Sequence, residues 1–107
     1  MDKQERMKIY KEAEDIWGLT AQYDQAIEEM GELIVAINKY KRKYFAGEYK
    51  GNNSIEENLA EEIADVKMCL EQLESYVGEE KISMVFEKKL EKLANLIEFM
   101  KEEKNDK

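Results

Sequence analysis

Two short acidic stretches carry the chemistry available to this chain. Glu28-Glu29-Met30-Gly31-Glu32 is echoed later by Glu61-Glu62-Ile63-Ala64-Asp65. On a helix, residues three apart are neighbours on one face, so Glu29 pairs with Glu32, and Glu62 with Asp65. No lysine or arginine stands within either pair. Two such pairs on facing helices make a pocket of four carboxylates. Hard oxygen donors of this kind suit Mg²⁺, or Mn²⁺ in its place. Divalent ions so held can bridge phosphate oxygens and activate a water.

Composition narrows the alternatives. The chain has 107 residues and no histidine, so His-dependent nucleophiles, His-ligated zinc and the Glu-x-x-His di-iron bundle are excluded. The one cysteine, Cys69, has no internal disulfide partner, and its helical, apolar neighbourhood reads as core. Catalysis would then rest on metal-assisted hydrolysis, positioning and charge stabilisation. A formal charge of −8 argues against a nucleic-acid backbone as partner. It leaves room for a nucleotide, because bound cations reverse the local sign. No apolar run approaches the ~20 residues of a membrane span, and residues 1–11 lack the apolar core of a signal peptide. The expectation is a soluble, cytoplasmic protein with no membrane partner.

The elements that must position the acids are helices. Proline is absent, and Glu, Lys, Leu, Ala and Met dominate. Residues 3–17 carry Met7, Tyr10, Ala13 and Trp17 at helical spacing, which predicts a short N-terminal arm (1–18) ended by Gly18. Tyr10 and Trp17 read as core, with a ligand pocket as the alternative. Thr20 can cap a second helix over 20–45, whose stripe runs through Tyr23, Ala26, Ile27, Met30, Leu33, Ile34, Ile37 and Tyr40. Glu29 lies at its margin. Gly31 costs about 1 kcal/mol there relative to alanine, and close packing or ligand approach would justify it. Lys39, Lys41, Arg42 and Lys43 end this helix, either as a dipole-matched solvated end or as an approach path for phosphates.

Residues 46–53 form the clearest loop. Ser54-Ile55-Glu56-Glu57 then reads as a capping box. The third helix (54–77) has a stripe of Ile55, Leu59, Ile63, Val66, Leu70, Leu73 and Val77, with Glu62 inside it and Asp65 at its edge. A carboxylate within an apolar stripe is costly unless paired or metal-bound. Gly78 stops this helix. A fourth runs over about 80–103 with a stripe from Ile82 to Met100, and 101–107 is a charged, frayed tail. The expected fold is all-α: a single domain over 1–107, an antiparallel bundle of about four helices. So apolar a fourth helix on so small a chain argues for completion by oligomerisation.

The pattern E-E-x-x-E, here Glu28 to Glu32, followed one helix later by E-x-x-D, here Glu62 to Asp65, resembles the MazG-like all-α nucleoside triphosphate pyrophosphohydrolases. The resemblance covers roughly residues 20–77. It implies hydrolysis of a nucleoside triphosphate, with dNTPs and modified NTPs among the candidates, to the monophosphate and pyrophosphate with Mg²⁺. It implies Glu29, Glu32, Glu62 and Asp65 as metal ligands, and Glu28 and Glu61 as catalytic carboxylates around them that orient the water. Basic residues facing the phosphates would be Lys39, Lys43, Lys89 and Lys92. It further implies a homodimer or homotetramer. Two features depart from the family: the connection between the acid pairs is long, and the fourth helix offers lysines but no arginine, so bidentate phosphate contacts are absent there. The alternative is a non-catalytic helical oligomerisation or adaptor protein whose acids merely solvate helix faces. Glu62 within the stripe weighs against it.

Overall fold

A computed structural model describes residues 1–45 and 54–105; the expected loop at 46–53 lies outside the described residues. Among these the protein is entirely α-helical between its turns, with no strand. The helices are α1 (Lys3–Trp17), α2 (Leu19–Phe45), α3 (Ser54–Val77) and α4 (Glu79–Asn105). None is long and apolar enough to cross a membrane. The chain divides into two compact units, residues 1–73 and 74–107.

Local chemistry sets the boundaries. The Asp2 carboxylate caps α1 by accepting from the Glu5 amide at 2.8 Å. Gly18 ends α1 with φ +88°, a conformation that disfavours side-chain-bearing residues. Its N–H donates to the Glu14 carbonyl at 2.8 Å, and its own carbonyl accepts from Gln22 at 3.3 Å. One glycine thus closes α1 and opens α2. Thr20 is therefore not the cap: it is already the second residue of α2. Gly78, at φ +122°, repeats the device between α3 and α4, with Glu74 and Ile82 as its partners. The tail expected to fray from residue 101 is helical through Asn105.

In the first unit, α2 and α3 run antiparallel. Gln22 lies opposite Gln72, and Glu29 and Glu32 lie opposite Glu62. The inward row of α2 is Gln22, Ala26, Glu29, Leu33 and Ala36, small and polar for a core. Ala26, Ala36, Val66 and Cys69 are buried, together with Tyr10 and Gln72. The expected α2 stripe was too broad. Ile27 is 69% and Ile34 61% exposed, because the narrow alanine-lined row, not the isoleucines, meets α3. On α3, Ile63 and Leu70 are likewise outside the core.

Arg6, Tyr10 and Glu71 tie α1 to α3. Arg6 grips Glu71 with two parallel bonds, Nε to Oε1 at 2.7 Å and Nη2 to Oε2 at 3.2 Å. The Tyr10 hydroxyl donates to the same Oε1 at 2.8 Å. Arg6 and then Tyr10 hold the Glu71 carboxyl below its ordinary range. Burial, then the bond to Glu71, pushes Tyr10 up to about 12.

These shifts place the pH limits of the unit. A depressed carboxyl stabilises above its unfolded value, about 4.3, and that contribution is lost as pH falls through the lower folded one. A raised tyrosine stabilises below its unfolded value, about 10, and that contribution is lost as pH climbs towards the folded one. Denaturant midpoints measured across pH should therefore fall at both extremes. Glu71→Gln should remove the acid-side loss and shorten the alkaline one, and Tyr10→Phe should cost about 1 kcal/mol at neutral pH.

Glycine replacements give a second check. A Cβ at Gly18, Gly31 or Gly78 would meet nothing within 4 Å, so close packing does not explain Gly31. Gly31→Ala should stabilise the fold by about 0.5–1 kcal/mol through helix propensity alone. Gly18→Ala should destabilise it by about 1–2 kcal/mol through backbone strain alone. Urea unfolding of both variants distinguishes the two signs.

Candidate metal centre

Glu29 and Glu62 occupy the inward rows of α2 and α3 because each recurs at helical spacing with buried small residues. These are Ala26 and Ala36 around Glu29, and Val66 and Cys69 beyond Glu62. The alanines leave room for carboxylates where larger side chains would fill the seam. Glu32 stands one turn on from Glu29. Carboxylate oxygens of Glu29, Glu32 and Glu62 all lie within 4.8 Å of one another. Glu29 and Glu62 are half-buried and Glu32 is exposed, so the cluster opens to solvent on one side.

The electrostatics are unfavourable as they stand. Gln25 donates to Glu29 Oε1 at 2.7 Å. The buried Oε2 atoms of Glu29 and of Glu62 accept no hydrogen bond from the described residues. Burial, first, raises the Glu29 carboxyl above its ordinary range. The charges of Glu32 and Asp65 push the same way, as does a hydrogen bond with Asp65 that exists only when one of the two is protonated, and Gln25 partly opposes them. A divalent cation held by the cluster would offset these costs, because it would neutralise the repulsion and give the carboxylates a positive partner. The all-oxygen donor set fits Mg²⁺ or Mn²⁺.

The other expected residues are placed as follows. Asp65 is half-buried beside Glu29, outside the three-glutamate cluster. Glu28 and Glu61 are exposed next to Glu29 and Glu62, and neither belongs to the cluster. Lys39 and Lys43 lie further along α2 from Glu32, whereas Lys89 and Lys92 are exposed on α4, in the second unit.

A cavity of about 310 Å³ adjoins the acids. Ile9, Tyr10, Trp17, Met68 and Cys69 supply its apolar wall, Glu29 and Asp65 its acidic end, and the amides of Gln22, Gln25 and Gln72 line it too. Tyr10 is core, as expected. Trp17 is not: at 66% exposed it stands on the cavity wall, the position left open as the alternative. Sequence reasoning passed over Gln22, Gln72 and, in contact with the acids themselves, Gln25. Its signal was its place four residues before Glu29, where an amide can reach the carboxylate. Burial, above all, raises the Cys69 thiol, which keeps it protonated and suits a packing role.

Metal binding should appear as stabilisation. At a hundredfold excess over its dissociation constant, Mg²⁺ or Mn²⁺ should stabilise the fold by about 2.7 kcal/mol. Thermal unfolding with and without EDTA measures this. Glu62→Gln should remove the response while leaving the metal-free protein at least as stable as the wild type, since one repelling charge is gone.

No protein-family model, curated protein or solved structure matches the chain.

Proposed function

We propose that this protein is a Mg²⁺-dependent nucleoside triphosphate pyrophosphohydrolase, releasing a nucleoside monophosphate and pyrophosphate. The observation that carries the reading is the juxtaposition of Glu29, Glu32 and Glu62, with two buried, unpartnered carboxylate oxygens facing a need for positive charge. Glu29, Glu32 and Glu62 would hold the cation, with Asp65 beside Glu29 completing the acidic set. When bound, such an ion polarises phosphate oxygens and lowers the pKa of a coordinated water. Glu28 and Glu61, exposed alongside, would accept hydrogen bonds from water and orient it. Lys39 and Lys43 would attract the phosphate chain along α2. The adjoining cavity supports the reading from the other end. Its volume lies at the small end of ligand sites, and Trp17, Tyr10 and the glutamine amides suit a flat base that both stacks and hydrogen-bonds. The reading places the protein in the cytoplasm, as a homodimer or homotetramer.

A second reading, a non-catalytic assembly module, draws on a different observation. Large apolar side chains of α4, among them Phe86, Leu93 and Phe99, are exposed.

One assay separates the two. Purified protein is incubated with a panel of ordinary and modified NTPs and dNTPs, and both monophosphate and pyrophosphate are quantified. The expected outcome is Mg²⁺-dependent release of both products, abolished by EDTA and reduced at least a hundredfold in Glu62→Gln. Release that persists in EDTA, or equal release by the variant, refutes the proposal.

A further inference from the structure

On α4, Phe86, Leu90, Leu93, Ile97 and Met100 recur at alternating steps of four and three residues and stand 43–59% exposed. That spacing is the seam of a two-helix coiled coil. The residues flanking the seam are few and ordered. Glu87, Ala94 and Lys101 follow one side, and Lys89, Leu96 and Glu103 the other. Their order chooses a partner and a direction. We infer that α4 pairs antiparallel with α4 of a second copy of this chain, centred at Asn95.

In that alignment Leu93 packs beside Ile97 of the other copy, Leu90 beside Met100, and Phe86 beside the aliphatic stem of Lys104. Glu87 faces Lys101 and Lys89 faces Glu103, so all four charged flanking positions meet opposite charge. By symmetry each contact occurs twice. Ala94 faces Ala94 and Leu96 faces Leu96 at the dyad, where the small alanine lets the helices approach. By number of opposite-charge contacts, no other simple alignment does as well. Sliding one helix by a heptad sets Glu87 against Ala94 and Lys89 against Leu96 and keeps Glu80 against Lys101 as its one kind of opposite-charge contact, or sets Lys101 against Ala94 and Glu103 against Leu96. A parallel, in-register pair sets Lys89 against Ala94 and Lys101 against Leu96. The other long exposed stripe, Tyr23, Ile27, Ile34 and Ile37 on α2, offers only Asp24 as a charge along its flanks, which include Gly31, Leu33 and Asn38. It has nothing to match the alternation on α4. The intrahelical contact of Lys101 with Glu98, at 3.7 Å between highly exposed groups, contributes little and does not compete.

The test uses the full chain and is independent of metal binding and hydrolysis. Zero-length carbodiimide cross-linking, with peptides mapped by mass spectrometry, should join Glu87 to Lys101 and Lys89 to Glu103. Within one helix the residues of each pair lie roughly 21 Å apart, so both links must be intermolecular. Sedimentation equilibrium should show a dimer. Glu87→Lys alone and Lys101→Glu alone should each weaken it about tenfold, because each creates two like-charge contacts, and the double variant should restore it. All four positions are solvent-exposed, so circular dichroism should be unchanged. A monomeric wild type, cross-links that join α4 to other helices, or a double variant no tighter than the singles would overturn the inference.

Discussion

The constraint on which the rest of the first unit depends is the meeting of three carboxylates between α2 and α3. Like charges held within 4.8 Å repel, and burial of two of their oxygens removes the water that would soften the repulsion. A seam chosen for stability alone would place leucine or isoleucine at positions 29 and 62. Instead the seam carries glutamates among alanines, and isoleucines 27 and 34 sit outside. The unit has accepted a weaker helix contact in order to keep an acidic recess.

What holds the helices in place is correspondingly remote from that recess. Glu71 receives two bonds from Arg6 and one from Tyr10, which together anchor α1 on α3. A charge-assisted, two-pronged contact sets angle as well as distance. It does so near the Gln22–Gln72 pair, so the polar contacts between α1, α2 and α3 form a chain along the seam. Glu71 and Glu62 show how the same residue type serves opposite ends on one helix. Glu71 meets a fixed internal cation, so its ionised form is stabilised. Glu62 has an oxygen that meets none, which leaves its charge available to an external one.

Helix number and boundaries were almost fully legible in the chain. Asp2, Gly18 and Gly78 act locally, and local chemistry can be read from neighbours in sequence. Thr20 misled because a glycine carbonyl had already started α2, and backbone bonding outranked a side-chain cap. The acid pairs were legible as well, since i to i+3 spacing survives any packing arrangement. Which apolar row faces inward was not. Tyr23, Ile27, Ile34 and Ile37 and the Ala26–Leu33–Ala36 row are both periodic on α2. Only the partner helix decides between them, and it begins well beyond α2 in the chain, at Ser54. Trp17 escaped for the same reason: the cavity it lines is completed by Met68 and Cys69 from a different helix.

Few apolar side chains among the described residues are buried: Tyr10, Ala26, Ala36, Val66 and Cys69. Two of these are alanines, which contribute little apolar area each. At about 25 cal/mol per Å² of apolar surface, a core of this composition leaves little surplus over the entropy of ordering the chain. The isoleucines of α2 and the seam of α4 hold the unspent hydrophobic surface. For a small domain that commits its inner seam to carboxylates, a bound cation and burial of an outer face are two ways by which stability could be gained. Metal loading, as proposed, would offset the deficit that the three glutamates create, and the proposed pairing of α4 would bury apolar surface that the single chain leaves exposed.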